Sequence, residues 1–266
     1  MSDNRPIGVF DSGVGGLTVV KELKKLMPNE SIVYFGDTGR VPYGSKSNET
    51  IIRYAREDEA FLLKQNVKMI IAACGTVSSV AYFTGSELSV PFFDVVKPAA
   101  ETAAKITNLK RIGIIGTPAT IRSGAHEKEI LKLIPDAFIV SNSCPLFVPL
   151  VEEGWIKNDN QVTVKTAEKY LKPIKESNVD TLILGCTHYP ALYEIIADIM
   201  GDKVTLINMG TSVANKVFAS MEKDNSFSNA SVKDKYFVSD RVENFSNLAK
   251  NLLGTDVGNL VEKIDI

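Results

Sequence analysis

The stretch Thr181–Pro190, TLILGCTHYP, has a cysteine directly after a short apolar run that ends in glycine. Such a run is typical of a buried strand, and the polar residues after it then lie in a turn. A second stretch, Lys68–Thr76 (KMIIAACGT), has the same order of residue types. The sequence therefore predicts two thiols, Cys74 and Cys186, each at the carboxyl end of a buried strand.

The bulk composition is that of an ordinary globular protein of 266 residues, with 44% hydrophobic and 23% charged residues. The net charge of -2 gives no electrostatic reason to expect nucleic acid or an anionic membrane as a partner. No apolar run approaches the roughly 18 residues that a membrane span needs. The N-terminal residues MSDNRP lack the apolar core of a signal peptide, so we expect the chain to stay in the cytoplasm.

The cysteine count fits that compartment, because three cysteines are an odd and low number for a disulfide framework. A buried free cysteine is usually a small hydrophobic residue, and this is our interpretation of Cys144. The other two cysteines lie in better positions for chemistry.

Strand-like and helix-like patterns alternate along the whole chain, which predicts an α/β fold with mainly parallel sheets flanked by helices. In such sheets, ligands bind beyond the carboxyl ends of the strands. Asp11 and Thr117 each follow a strand-like run, as the two cysteines do. We therefore expect these four residues to lie on the same side of the structure.

An internal repeat is visible between the two halves. Residues 111–120 (RIGIIGTPAT) echo residues 5–12 (RPIGVFDS), and each unit then runs on to a strand that ends in cysteine. The repeat predicts two similar lobes related by a pseudo-twofold axis, with the active site in the cleft between them. The first lobe is expected to comprise residues 1–98 and 209–266, and the second residues 99–208.

Two loops of the first unit have alternative interpretations. Residues 11–16 (DSGVGG) form either a tight turn or an anion-binding turn, but Thr18 breaks the dinucleotide fingerprint. The loop 36–44 (GDTGRVPYG) is either shaped around a small ligand or a plain connection. The charge run Arg56–Glu59 is expected on a solvated helix face, and His126 on an exposed helix start without a role.

A thiol on each wall of one cleft suits inversion at a carbon atom. One group removes a proton from one face, and the other delivers a proton to the opposite face. A thiol with a pKa of roughly 8.5 can be tuned for this role by its surroundings. Each sulfur would lie about 3.5 Å from the carbon, so the sulfurs would be roughly 7 Å apart. This excludes a disulfide, in which the sulfurs are about 2 Å apart.

The chain resembles the glutamate racemases, a family of the cofactor-independent aspartate/glutamate racemase superfamily. The resemblance extends from Ile7 to about Val217 and rests on five motifs. These are residues 7–18 (IGVFDSGVGGLT), 36–37 with 42–44 (GD and PYG), 73–76 (ACGT), 147–152 (FVPLVE) and 185–190 (GCTHYP). It implies interconversion of L- and D-glutamate without pyridoxal phosphate or metal, and a supply of D-glutamate for bacterial peptidoglycan. It also implies a homodimer.

The same resemblance implies roles for individual residues. Cys74 and Cys186 would be the two acid/base groups, assisted by Asp11, Glu152 and His188. The substrate would be bound by Asp11, Ser12, Tyr43, Gly44, Gly75, Thr76, Thr187 and His188. The family usually has asparagine after the first cysteine, where this chain has Gly75. A lost amide is worth about 1–3 kcal/mol if nothing replaces it, so affinity or substrate choice is open at this position.

Three alternatives remain at this stage. Cys74, Cys186 and His188 could bind a metal, although a fourth ligand and paired-cysteine spacing are missing. The substrate could instead be aspartate or a hydantoin, within the same superfamily. A two-lobed amino-acid binding protein without enzymatic activity would also fit the repeat.

Overall fold

The computed structural model describes residues 2–230, 233–240 and 242–266, and strands alternate with helices throughout these ranges. No candidate site residue falls on the remaining positions. The strands are β1 (Ile7–Asp11), β2 (Ile32–Gly36), β3 (Met69–Ala72), β4 (Phe92–Asp94), β5 (Arg111–Gly116), β6 (Phe138–Ser143), β7 (Thr181–Gly185), β8 (Thr205–Asn208), β9 (Lys235–Val238) and β10 (Val261–Lys263). The helices are α1 (Leu17–Leu26), α2 (Asn48–Lys64), α3 (Gly75–Val80), α4 (Val96–Ile106), α5 (Pro118–Ser123), α6 (Ala125–Leu133), α7 (Phe147–Glu152), α8 (Gln161–Glu176), α9 (Tyr193–Met200), α10 (Met209–Asp224) and α11 (Val242–Leu253).

The strands form two sheets, and every strand pair in them is parallel. The first sheet has the order β10-β9-β2-β1-β3-β4. All residues of β1 and β3 are buried, because helices cover both faces of a parallel sheet. This explains why these strands are continuous apolar runs in the sequence. The α/β fold class predicted from the sequence is confirmed.

The second sheet has the order β6-β5-β7-β8, which is the order β2-β1-β3-β4 of the first sheet repeated. In this correspondence β5 matches β1 and β7 matches β3, so the internal repeat is real at the level of topology. Cys74 follows β3 and Cys186 follows β7. The two thiols therefore occupy equivalent places in the two sheets.

The C-terminal segment returns to the first sheet, where β9 pairs with β2 and β10 pairs with β9. The sequence pattern predicts β9 but not β10, a three-residue strand that is mostly exposed and has little apolar signal. The sheets themselves use residues 7–94 with 235–263, and residues 111–208. The lobe boundaries at 98/99 and 208/209 remain predictions.

The largest apolar core runs across both sheets. It includes Val9 of the first sheet and Ile114 of the second, with residues of α4 and α10 packed in the same cluster. One face of α10 contributes Val213, Ala214, Val217 and Met221 as buried residues, and Phe218 as a partly buried one. A shared core of this kind fixes the two sheets relative to each other.

Polar side chains begin several helices. Ser47 Oγ accepts a hydrogen bond from the Thr50 N–H at 3.3 Å and starts α2. Asn160 Oδ1 accepts one from the Thr163 N–H at 3.1 Å and starts α8. A cap of this kind stabilises a helix by about 1 kcal/mol. In the described ranges, no helix is both long enough and apolar enough to span a bilayer.

Two predictions of exposed polar residues are wrong. Asp58 and Glu59, within the charge run of α2, are only 0% and 2% exposed. Burial raises the pKa of Glu59 to about 7, although Thr84 donates a hydrogen bond to it. His126 is 2% exposed because α6 packs against α4, and burial lowers its pKa to about 4. Local sequence shows charge but not which helix face a neighbouring element covers.

Candidate active site

A cavity of about 400 Å³ lies between the carboxyl ends of the two sheets, and both predicted cysteines line it. This volume lies within the range of roughly 300–1,000 Å³ that is usual for small-molecule sites. Cys74 and Cys186 are 5% and 6% exposed, and neither forms a disulfide. The cavity is lined by Ser12, Val41, Pro42, Tyr43, Gly44, Ser45, Cys74, Gly75, Thr76, Thr117, Pro118, Pro145, Val148, Pro149, Glu152, Cys186, Thr187 and His188.

The first thiol, Cys74, lies between β3 and α3 and has a hydroxyl as its hydrogen-bond partner. Its Sγ donates a hydrogen bond to Ser12 Oγ at 3.5 Å. Burial raises the pKa of Cys74 to about 12, and the carboxylate of Asp11 and the nearby Cys186 also raise it. The Ser12 hydroxyl and the Val77 N–H act in the opposite direction. At neutral pH this residue is therefore a protonated thiol, ready to donate a proton.

The second thiol, Cys186, lies beside a histidine and a carboxylate. Its Sγ is 3.9 Å from His188 Nδ1, and His188 Nε2 is 3.2 Å from Glu152 Oε1. Burial alone would lower the pKa of His188, but its hydrogen bonds to Cys186 and Glu152 outweigh burial and raise that pKa to about 10. An imidazolium at this position places a positive charge beside the Cys186 sulfur.

Asp11 links the two sides from behind the cavity wall. It is fully buried and accepts a hydrogen bond from Thr187 Oγ1 at 3.3 Å and from the Gly13 N–H at 3.0 Å. Burial raises the pKa of Asp11, although His188 and these hydrogen bonds oppose the shift. Asp11 does not appear in the cavity lining, so direct contact between Asp11 and a substrate remains a prediction.

Threonine hydroxyls connect the two sheets on the other side of the cavity. Thr76 Oγ1, at the start of α3, is 3.0 Å from Thr117 Oγ1, and Thr117 Oγ1 is 3.0 Å from Thr120 Oγ1. Thr117 also caps α5 by accepting a hydrogen bond from the Thr120 N–H. These hydroxyls can donate hydrogen bonds to a carboxylate in the cavity.

The loop that carries Tyr43 is held by a buried charged network. Tyr43 donates a hydrogen bond to Asp37, and its hydroxyl is also 3.2 Å from Asp58 Oδ2. Arg40 contacts both carboxylates, at 2.5 Å to Asp37 and 3.1 Å to Asp58, and also pairs with Glu57. Because Tyr43 and Gly44 of this loop line the cavity, a loop shaped around a small ligand remains a prediction.

The structure brings together nearly all the residues that the resemblance implies. Ten of them line the cavity, namely Ser12, Tyr43, Gly44, Cys74, Gly75, Thr76, Glu152, Cys186, Thr187 and His188. Our list of binding residues missed Thr117, although the repeat makes it the counterpart of Ser12 after the equivalent strand. The sequence analysis also missed the network of Asp37, Arg40 and Asp58 that holds the Tyr43 loop. Nothing in the local sequence indicates that a charged residue of α2 faces this loop.

Metal binding has little support in the arrangement of side chains. Across residues 2–230, 233–240 and 242–266, no group of three or more histidine, cysteine, aspartate or glutamate side chains could hold a metal ion. Cys74, Cys186 and His188, the ligands of the metal alternative, do not form such a group.

Taken together, fold and site define a class of protein: an α/β enzyme with two repeated sheets that presents one cysteine from each sheet to a common cavity. Comparison with known proteins identifies the family. A family model described as Asp/Glu/Hydantoin racemase matches residues 15–217. The chain belongs to this racemase family, which confirms the resemblance predicted from the motifs.

Individual relatives are similar over their full length. The glutamate racemase of Geobacter metallireducens is 43% identical over 261 residues, which cover 97% of this chain and 96% of that protein. The structure of the Francisella tularensis glutamate racemase in complex with D-glutamate has a TM-score of 0.91 at 37% identity, over 99% of this chain and 98% of that one. The Thermus thermophilus glutamate racemase in complex with β-chloro-D-alanine has a TM-score of 0.89 at 40% identity, over 100% and 99% of the two chains.

Proposed function

We propose that the chain interconverts L- and D-glutamate by proton transfer between two cysteines. The observation that carries the proposal is the position of Cys74 and Cys186, which follow equivalent strands and line one cavity. Full-length similarity to proteins named glutamate racemase supports glutamate as the substrate. The D-glutamate bound in the Francisella tularensis enzyme supports it further.

In the proposed reaction, one thiolate takes the α-proton and the opposite thiol gives up its own proton to the other face of the carbon. The C–H bond on the first face breaks as the first S–H bond forms. The S–H bond of the second cysteine breaks as the new C–H bond forms. Each turnover therefore leaves the enzyme with the thiol and the thiolate exchanged. Solvent or a neighbouring group must return the proton before the same enantiomer can react again.

The charges around the site suggest the starting state. The imidazolium of His188 lies beside Cys186, whereas Cys74 holds its proton at neutral pH. The resting enzyme would then take a proton with Cys186 and deliver one with Cys74. Asp11, Glu152 and His188 would assist by stabilising or relaying protons, as the resemblance implies.

Substrate carboxylates would be held by neutral donors. The lining residues in the described part of the chain include no lysine or arginine, so hydroxyl and backbone N–H groups would have to bind the substrate carboxylates. Hydroxyl groups in the cavity lining come from Ser12, Thr76 and Thr187. The same lining also includes Tyr43, Gly44 and Gly75. Closure of the lobes on the substrate would exclude water and strengthen these interactions.

Exchange of the α-hydrogen with solvent tests the proposal most directly. L-glutamate and D-glutamate, incubated separately with the enzyme in D₂O, should each give the opposite enantiomer carrying deuterium at Cα. Aspartate should exchange far more slowly, and a metal chelator should not change the rate. If glutamate binds but its α-hydrogen does not exchange, the chain is a binding protein and not an enzyme for glutamate. If aspartate exchanges faster than glutamate, aspartate becomes the assigned substrate.

The resemblance implies three further properties, which are part of this proposal. The D-glutamate would serve bacterial peptidoglycan synthesis, the enzyme would work in the cytoplasm, and it would be a homodimer. An exposed aromatic pair, Tyr82 and Phe83, is consistent with an interface. Light scattering at micromolar concentration would measure the oligomeric state, and a monomer at all concentrations would contradict the homodimer.

A further inference from the structure

Three glycines of the first lobe face the second lobe near the cavity. At one of them, an added Cβ atom would clash with backbone rather than with a side chain. A Cβ atom added to Gly15 or Gly44 would meet side chains, those of Thr187 and Thr117 respectively. A Cβ atom added to Gly75 would lie 2.5 Å from the carbonyl oxygen of Gly185. Side chains can rotate away from a new methyl group, but the Gly185 carbonyl is fixed by its place in the sheet.

Both partners in this contact adjoin a cysteine that the proposed reaction uses. Gly75 directly follows Cys74 and begins α3, and Gly185 ends β7 directly before Cys186. Gly185 in turn lies against the Ile115 carbonyl of β5, since a Cβ there would approach that oxygen to 2.6 Å. The segments carrying the two sulfurs therefore meet through backbone alone, with a rigid sheet behind one of them.

We propose that Gly75 is a spacer: its missing side chain lets the Cys74–Gly75 backbone rest against Gly185, and this contact sets the distance between the two sulfurs. Gly75 is thus a positioning residue rather than a catalytic one. The inference rests on the proposed function, in which both sulfurs must reach one carbon from opposite faces. It gives the departure from the family's asparagine a physical meaning, because this chain has no room for any side chain here.

A side chain at position 75 would force the two segments apart. Cβ atoms essentially never approach another heavy atom closer than 3.0 Å, so the backbone would have to separate by at least about half an ångström. Displacements near 1 Å at reacting atoms can cost about 100-fold in rate. For Gly75→Ala we therefore expect kcat to fall by about 10- to 100-fold, with a smaller change in KM, since the hydroxyls of Ser12 and Thr187 lie outside the displaced segment.

The experiment measures kcat and KM for racemisation, per mole of folded enzyme, in wild type, Gly75→Ala and Gly75→Asn. Both variants should lose kcat, and a crystal structure of Gly75→Ala should have a longer Cys74–Cys186 sulfur separation. The same clash can lower stability, so urea unfolding of each variant is measured beside the rate per mole of folded enzyme. Gly258→Ala is the matched control, because the same methyl group there meets nothing closer than the Asp256 carboxylate at 3.3 Å.

A double variant separates the Gly185 contact from the next nearest one. The methyl carbon of Met209 would lie 3.2 Å from the added Cβ, and Met209→Leu removes that atom at little cost in volume. If Gly75→Ala/Met209→Leu regains wild-type kcat, the obstacle is Met209 and the spacer role is overturned. Full activity of Gly75→Ala, or higher activity of Gly75→Asn, overturns it as well. A wild-type enzyme that does not exchange the α-hydrogen of glutamate overturns the proposed function, and this inference with it.

Discussion

The surroundings of Cys74 and Cys186 differ in charge, although the two residues follow equivalent strands of two sheets with the same strand order. Cys74 has a hydroxyl partner in Ser12, and burial with a nearby carboxylate raises its pKa to about 12. Cys186 has an ionisable partner in His188, which is itself held by Glu152. The repeated fold thus positions two similar thiols, and side chains that differ between the two units give them different neighbours.

This inequality has a limit set by thermodynamics. Enantiomers have equal free energies in water, so the equilibrium constant of racemisation is 1. The values of kcat/KM for the two directions must therefore be equal, whatever the protonation state of each thiol. An electrostatic difference between the two thiols can appear only in the separate kcat and KM values, in their pH profiles and in isotope effects.

Removal of either thiol should have the largest effect on activity. Cys74→Ala and Cys186→Ala each remove one of the two proton carriers, so we expect racemisation to fall by at least about 1,000-fold. Both variants should remain folded, because alanine fits either site without a new polar group. Chiral analysis of the product and circular dichroism would measure the two outcomes.

Cys144 provides the matched control for this experiment. It is fully buried in the core beside the second sheet, does not line the cavity and is a free thiol like the other two. Cys144→Ala should lose some stability and keep its turnover. Near-normal racemisation by either Cys74→Ala or Cys186→Ala would contradict the two-base mechanism.

His188→Gln should have the next largest effect, because it removes the positive charge beside Cys186. We expect a loss of about 100-fold in kcat/KM at neutral pH, equal in both directions. The rate of the variant should rise toward alkaline pH, where its thiolate forms without help. A pH profile parallel to that of wild type would mean that the imidazolium does not support the thiolate.

The same substitution predicts a change in the pH dependence of stability. The pKa of His188 is raised from 6.5 to about 10 in the folded protein, so its charge stabilises the fold fully below pH 6.5. That stabilisation is lost as the pH rises through about 10. The stability difference between wild type and His188→Gln should therefore shrink between pH 6.5 and 10, as measured by urea unfolding. A constant difference would show that packing rather than charge is lost.

Much of this difference between the thiols could be predicted from the sequence. The apolar runs before Cys74 and Cys186 fixed both strand ends, because a buried parallel strand needs such a run. The histidine beside Cys186 was visible as part of the same motif. The resemblance implied assisting roles for His188 and Glu152, but their contact was not predicted, since 36 residues separate them and nothing local connects them.

Other features depended on tertiary contacts that no local pattern encodes. Asp58 and Glu59 are part of a charge run that normally faces water, yet here α2 turns them inward. The tight contact of Gly75 with Gly185 involves no side chain on either residue, so it leaves no sign in the sequence beyond two glycines. Backbone packing between distant segments becomes visible only in three dimensions.

Ser12→Ala should have the smallest effect on activity. It tests the contribution of the uncharged partner of Cys74. The bond from Cys74 Sγ to Ser12 Oγ is long and uncharged, and a neutral hydrogen bond contributes about 0.5–1.5 kcal/mol. This corresponds to a loss of roughly two- to tenfold in kcat/KM, well below that expected for His188→Gln.

The direction of the pH effect is also defined for this variant. The Ser12 hydroxyl favours the thiolate of Cys74, so its removal should raise a pKa that burial already places near 12. The alkaline part of the rate profile should therefore move further up in pH, while the part governed by His188 stays unchanged. A loss as large as that of His188→Gln, measured in the same assay, would mean that Ser12 contributes as much as a charge. That result would contradict the expected difference between an uncharged partner for Cys74 and a charged partner for Cys186.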